Sequence, residues 1–193
     1  MRRLLIILTL ATTGWLPVAG QAADKELLGR ALDYFQAAKY HECMLILSRL
    51  DSVYTLNPRF RAFLGVCYYH EAAYDKAAKQ LATVMDDTEA FAPQERAVYR
   101  WTCAESLFIL QRYQEAIPHY EAMLAVCRPE ERADALYRLG FCSMYTADWH
   151  AAEERLESAI AYYNQYRSAD REARLTQASH MLAGIRQRLK DKP

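Results

Sequence analysis

Leu64-Gly65-Val66-Cys67-Tyr68, followed by Tyr74 and Ala77, is the stretch that decides how this chain folds. Leu64 and Tyr68 are four apart, so they share one face of a helix. Tyr74 opens a second helix and plugs the gap behind the turn. Gly65 and Ala77 fall where the two helices cross, and small side chains there let the backbones approach. One such hairpin cannot bury its apolar face alone, whereas stacked copies can.

The pattern recurs along the chain. Tyr40, Tyr74, Tyr113 and Trp149 are each followed three residues later by a small residue: Cys43, Ala77, Ala116 and Ala152. Successive steps are 34, 39 and 36 residues, so about five residues are inserted between the second and third units. Pro58, Pro93 and Pro129 stand at helix starts, where a missing N–H costs no intrahelical bond. The expected units are hairpins over 24–57, 58–91, 92–128 and 129–166, closed by a capping helix over 168–190. Ser168 is expected to cap that helix, and Leu175, Ala178, Leu182, Ile185 and Leu189 form its single apolar stripe. Departures are local. Arg30 takes the position of Leu64, Cys103-Ala104 replace Leu-Gly, and Ser143 stands where Tyr68 stood. Pro118, just past the first turn of its helix, is expected to bend it.

These four units resemble tetratricopeptide repeats over roughly 24–161. The resemblance implies an all-α fold, a right-handed α-solenoid of about four helix hairpins with a C-terminal capping helix. It also implies a concave groove lined by the first helix of each hairpin, a surface that in this family usually binds peptides or partner proteins. Helical spacing places Ala62, Val66, Tyr69 and His70 on that groove from the second repeat. The third contributes Trp101, Glu105, Phe108 and Ile109, and the fourth Tyr137, Phe141, Met144 and Tyr145. Phe35 extends the row into the first repeat. Rigid aromatic rings give large contact area at small entropic cost, so the expected groove is a binder of peptides or helices. The family's best-known clamp for a C-terminal carboxylate uses Lys, Asn and Arg at these positions. Here they are Ala62, Val66, Trp101, Glu105 and Tyr137, which speaks against that clamp.

Residues 1–23 read as a targeting segment. Arg2 and Arg3 precede the apolar run Leu4–Leu10, and Gly20-Gln21-Ala22 offers small residues for cleavage after Ala22. At about 16 apolar or neutral residues the run is short of the ~20 a membrane helix needs. Export to the periplasm or beyond the cell is therefore expected, with no membrane span after cleavage. No Cys lies near the junction, against a lipid anchor. Lys plus Arg and Asp plus Glu number 24 each, so nothing points to nucleic acid. The five cysteines are odd in number and widely spaced, unlike a disulfide framework. No CxxC or paired-His spacing suggests zinc, and no cofactor is implied. The histidines, His41, His70, His119, His150 and His180, have no catalytic partner motif. The sequence thus reads as a non-enzyme: a scaffold or adaptor of the cell envelope that holds a protein or peptide partner. Two alternatives stand beside it, a self-associating or assembly subunit, motivated by Arg30 in the first unit, and a small-ligand or glycan binder using the same rings.

Overall fold

The computed structural model describes residues 18–85 and 91–191, with side chains from 24 onward. Among these residues all regular structure is helical. The helices are α1 (Val18–Gln36), α2 (Tyr40–Asp51), α3 (Pro58–His70), α4 (Tyr74–Ala82), α5 (Pro93–Ile109), α6 (Tyr113–Leu124), α7 (Arg132–Tyr145), α8 (Trp149–Gln165) and α9 (Glu172–Asp191). Each packs on the next along the chain, and α3 also meets α5, so the odd-numbered helices form one side of a stack. This is the tetratricopeptide-type solenoid, four antiparallel hairpins and a closing helix. The expected targeting segment lies outside the described residues through position 17. α1 starts at Val18, ahead of the expected Asp24.

Local chemistry sets the helix ends. The Asn57 side chain accepts from the Phe60 amide at 3.1 Å, with Pro58 next in line. Asp148 does the same for Ala151. Two starts differ from the sequence reading. Pro129–Glu131 and Ala169–Arg171 are single 3-10 turns, and the α-helices begin only at Arg132 and Glu172. Ser168 makes no side-chain cap. Pro118 lies inside α6, which continues through it as one helix.

The four intra-hairpin turns are copies of one another. Ala38, Ala72, Gln111 and Ala147 all have positive φ, between 54° and 62°. In each turn the next amide reaches back five residues: Lys39 to Tyr34, Ala73 to Tyr68, Arg112 to Leu107 and Asp148 to Ser143, at 2.8–2.9 Å. That is the left-handed helix cap in which two orphan carbonyls find donors.

The crossing points correct one expectation. The neighbour of Gly65 is Leu81, one turn beyond Ala77, and Gly140 meets Leu156 in the same way. By register Ala31 belongs with Leu47 and Ala104 with Tyr120, and all four are buried. The third repeat therefore carries a tyrosine where the others carry leucine. The residues that open the second helices also stitch repeats together. Tyr40 stacks on His70 at 3.7 Å, Tyr113 on Tyr145 at 4.3 Å, and Arg188 covers Trp149 at 4.2 Å.

Candidate functional site

A cavity of about 350 Å³ opens on the side of the stack formed by α3, α5 and α7, and α9 closes its end. Tyr69, Trp101, Glu105 and Tyr137 line it, four of the thirteen groove positions read from the sequence. Asp134, Arg138, Arg174 and Gln177 complete the lining and were not on that row. The concave surface is thus more polar than a wall of rings.

Its chemistry starts from Tyr120. The phenol of this buried side chain donates to Glu105, which therefore sits one residue past the α5–α6 crossing with its carboxylate enclosed. Arg138 of α7 holds the same carboxylate: Nη2 donates to Oε2 at 2.8 Å, and Nε lies 2.8 Å from Oε1. A hydrogen-bonded ion pair of this kind is stronger than a neutral hydrogen bond. The guanidinium also lies over the Phe108 ring at 4.5 Å. Burial, with Glu105 alongside, drives the Tyr120 hydroxyl far above the ordinary tyrosine range. Burial alone would lower Arg138, yet the Glu105 carboxylate holds it above its usual value.

A second cluster seals the cap end. Asp134 accepts from Arg174 at 2.6 Å and from the Tyr163 hydroxyl at 2.8 Å, with Arg171 at 3.5 Å. Tyr137 donates to Gln177 at 2.7 Å. These contacts tie α7 and α8 to α9, so the capping helix is part of the cavity wall.

The remaining sequence-read positions go elsewhere. Val66 is buried in the core, and Phe35 stacks on Phe63 at 4.0 Å between α1 and α3. His70 stacks on Tyr40 while staying exposed, and partial desolvation lowers its pKa. Phe108 and Phe141 meet edge to face at 6.2 Å, and Tyr145 lies on Tyr113, although Tyr145 stays 61% exposed. Those rings form an aromatic edge between repeats. Glu105 and Tyr137 border the cavity but are themselves buried, at 5% and 6% exposure. Trp101, half-buried, is the ring shared by two spaces. Behind it a second cavity of about 270 Å³ is lined by Ala97, Val98, Met123, Glu131 and Asp134. Arg138 carried no local signal in the sequence, because its partner Glu105 lies 33 residues away on α5. Arg174 and Gln177 carried no such signal, because only the docking of α9 brings them in.

No helix among the described residues is long and apolar enough to cross a membrane. No protein-family model and no curated protein matches the chain. Solved structures do. MamA AMB-1 superposes with a TM-score of 0.69 at 14% identity, over 88% of this chain and 84% of that one. MamA 41-end from Desulfovibrio magneticus RS-1 gives 0.58 at 15%, covering 88% and 96%. The nearly identical kinesin light chain TPR-like repeats of Podosopora anserina give 0.58 at 17%, covering 87% of each chain. At these identities the likeness is one of fold.

Proposed function

We propose that this tetratricopeptide-type solenoid is a non-catalytic scaffold that binds a protein partner through the concave cavity around Trp101. The observation that carries the reading is a preorganised wall. Tyr69 packs on Tyr74, Trp101 on Tyr120, and Tyr137 on Phe141 and Gln177, and two arginine–carboxylate clusters line the same open space, so little side-chain freedom is lost on binding. An extended segment crossing α3, α5 and α7 meets an indole face, a phenol and exposed guanidinium edges. Large rings and arginine are the side chains that dominate interface energetics. No pair of carboxylates or histidine dyad in the cavity is free for acid–base work. Glu105 and Asp134 are each engaged by arginine and tyrosine.

The partner is read as a protein of the cell envelope, since the N-terminal segment has the charge and apolar run of an export signal. Affinity purification of the tagged full chain from its own cells, beside a Trp101→Ala/Arg174→Glu variant, tests this. A protein that co-purifies with the wild type and is lost from a variant of unchanged helicity supports the groove. Equal recovery by both removes it. N-terminal sequencing of the purified chain, with fractionation, tests export: a start at Ala23 or Asp24 supports it, and an intact Met1 in the cytoplasmic fraction opposes it.

One observation favours self-association as a second reading. Leu45, Val53 and Tyr54 are exposed on the first repeat. Beside them lies a cavity of about 340 Å³ lined by residues that include Leu28, Leu50, Leu56 and Phe60. Light scattering over a concentration series separates the readings, because a strict monomer excludes self-assembly.

A further inference from the structure

The interfaces between consecutive repeats follow one register. The small residue in the first turn of each second helix lines up with a small residue in the middle of the next first helix. The pairs are Cys43 with Cys67, Ala77 with Ser106, Ala116 with Cys142, and Ala152 with Ala178. All eight are completely buried, at 0% exposure. Small side chains at such positions bring two helices close, as a short cross-link requires. At the first interface alone both members carry sulfur.

We propose that Cys43 and Cys67 form a disulfide that joins the first repeat to the second when the protein meets an oxidising thiol–disulfide environment. Both residues belong to one core cluster, on α2 and α3, which pack directly on each other. Each thiol is the strongest influence on the other's pKa, as expected of neighbours buried between α2 and α3, and both are free thiols in this structure. The other cysteines are placed differently. Cys103 points its thiol at the Ala78 carbonyl at 3.8 Å, Cys142 lies in an interface opposite an alanine, and Cys127 is half-buried near α6.

The chemistry is ordinary exchange with a disulfide oxidant. The Cys43 thiolate attacks one sulfur of a small-molecule disulfide such as glutathione disulfide, forming a mixed disulfide and releasing one thiolate. The Cys67 thiolate then attacks the Cys43 sulfur, forms the intramolecular bond and expels the second thiolate. Two protein thiols lose two protons and two electrons, and one oxidant disulfide becomes two thiols. Exchange in the opposite order, with Cys67 attacking first, gives the same bond. The oxidant gains access when the terminal repeat opens, since end units with one neighbour open most readily.

The test equilibrates the purified chain in a glutathione redox series, traps remaining thiols with iodoacetamide in denaturant, and maps tryptic peptides. The expected product joins peptide 40–49 to peptide 62–76 and is two hydrogens lighter than their sum, with three alkylated cysteines elsewhere. The oxidised form is also expected to melt several degrees higher, roughly 5–10 °C, because the cross-link restricts the unfolded chain. Cys43→Ala introduces the residue that three other repeats use at this position, and Cys67→Ser the one at Ser106. Both variants are expected to fold and to lose the linked peptide and the oxidative shift in melting. Five alkylated cysteines across the whole series would overturn the proposal. So would a link through Cys103, Cys127 or Cys142, or an unchanged oxidative shift in Cys43→Ala.

Discussion

Leu81 occupies the space that a side chain on Gly65 would need: a Cβ there would stand 2.6 Å from Leu81 Cγ and 2.9 Å from its Cδ2. Leu81 is fully buried, so it has nowhere to retreat without moving α4. Gly65→Ala should therefore destabilise by about 1–3 kcal/mol, the usual cost of overpacking. Gly140→Ala should match it, since Leu156 stands 2.7 Å from the same phantom atom. Gly184, with open space around it on α9, is the control, and Gly184→Ala should stabilise by about 0.5–1 kcal/mol through helix propensity. Urea unfolding by circular dichroism reads all three.

The four hairpin turns make the opposite prediction. Gln111 at φ 60° and Ala72 at φ 56° hold a left-handed conformation that costs a side-chain-bearing residue about 1 kcal/mol. Gln111→Gly and Ala72→Gly should each raise stability by roughly 0.5 kcal/mol, strain relief partly offset by unfolded-chain entropy. A fall in the denaturation midpoint would mean that the turn is not strained.

The Tyr120–Glu105–Arg138 network should be costly to break from one side. Arg138→Met leaves an enclosed carboxylate facing a thioether and should cost about 2–4 kcal/mol. The triple change Tyr120→Leu/Glu105→Leu/Arg138→Met should cost less than the single, because no charge remains to be stranded. Thermal melts of both proteins decide this, and a triple variant less stable than the single would refute it.

His119 sets a pH dependence. Burial lowers its pKa below the usual 6.5, and Arg100 at 3.4 Å opposes its protonation further. Stability from the neutral ring is complete above 6.5 and is lost as pH falls through the folded-state value. His41 runs the other way: its bond to Glu71 at 2.7 Å raises it, so its contribution is present below 6.5 and fades as pH rises through the higher folded value. Because His41 is exposed, its effect is small. Urea midpoints should therefore drop between pH 7 and pH 5, and His119→Gln should flatten that drop. A wild-type profile that is level over this range would contradict the assignment.

The hairpins were legible in the sequence because their signals are local. Tyr74, Asn57-Pro58 and the small residues at positions such as Ala77 act within a few residues of themselves. Leu81 as the crossing partner was missed because Ala77 is the nearer small residue, while the steric contact falls a turn later. The cavity was legible only in part. Trp101 and Tyr137 follow the repeat register, but the Glu105–Arg138 pair joins residues 33 apart, and the Tyr137–Gln177 bond spans 40. Phe35, Phe108, Phe141 and Tyr145 look the same in sequence as groove rings, yet the structure spends them on neighbouring rings, a difference that periodicity does not encode.

Site-specific photocross-linking in the native cell tests the central claim most directly. A photoreactive amino acid replaces Tyr69 or Arg174 on the cavity wall, and Glu154 on the exposed face of α8 serves as the comparison. The account predicts a discrete adduct with another polypeptide from positions 69 and 174 and none from 154. Adducts from 154 alone, or identical adducts from all three positions, would contradict a partner held in the groove.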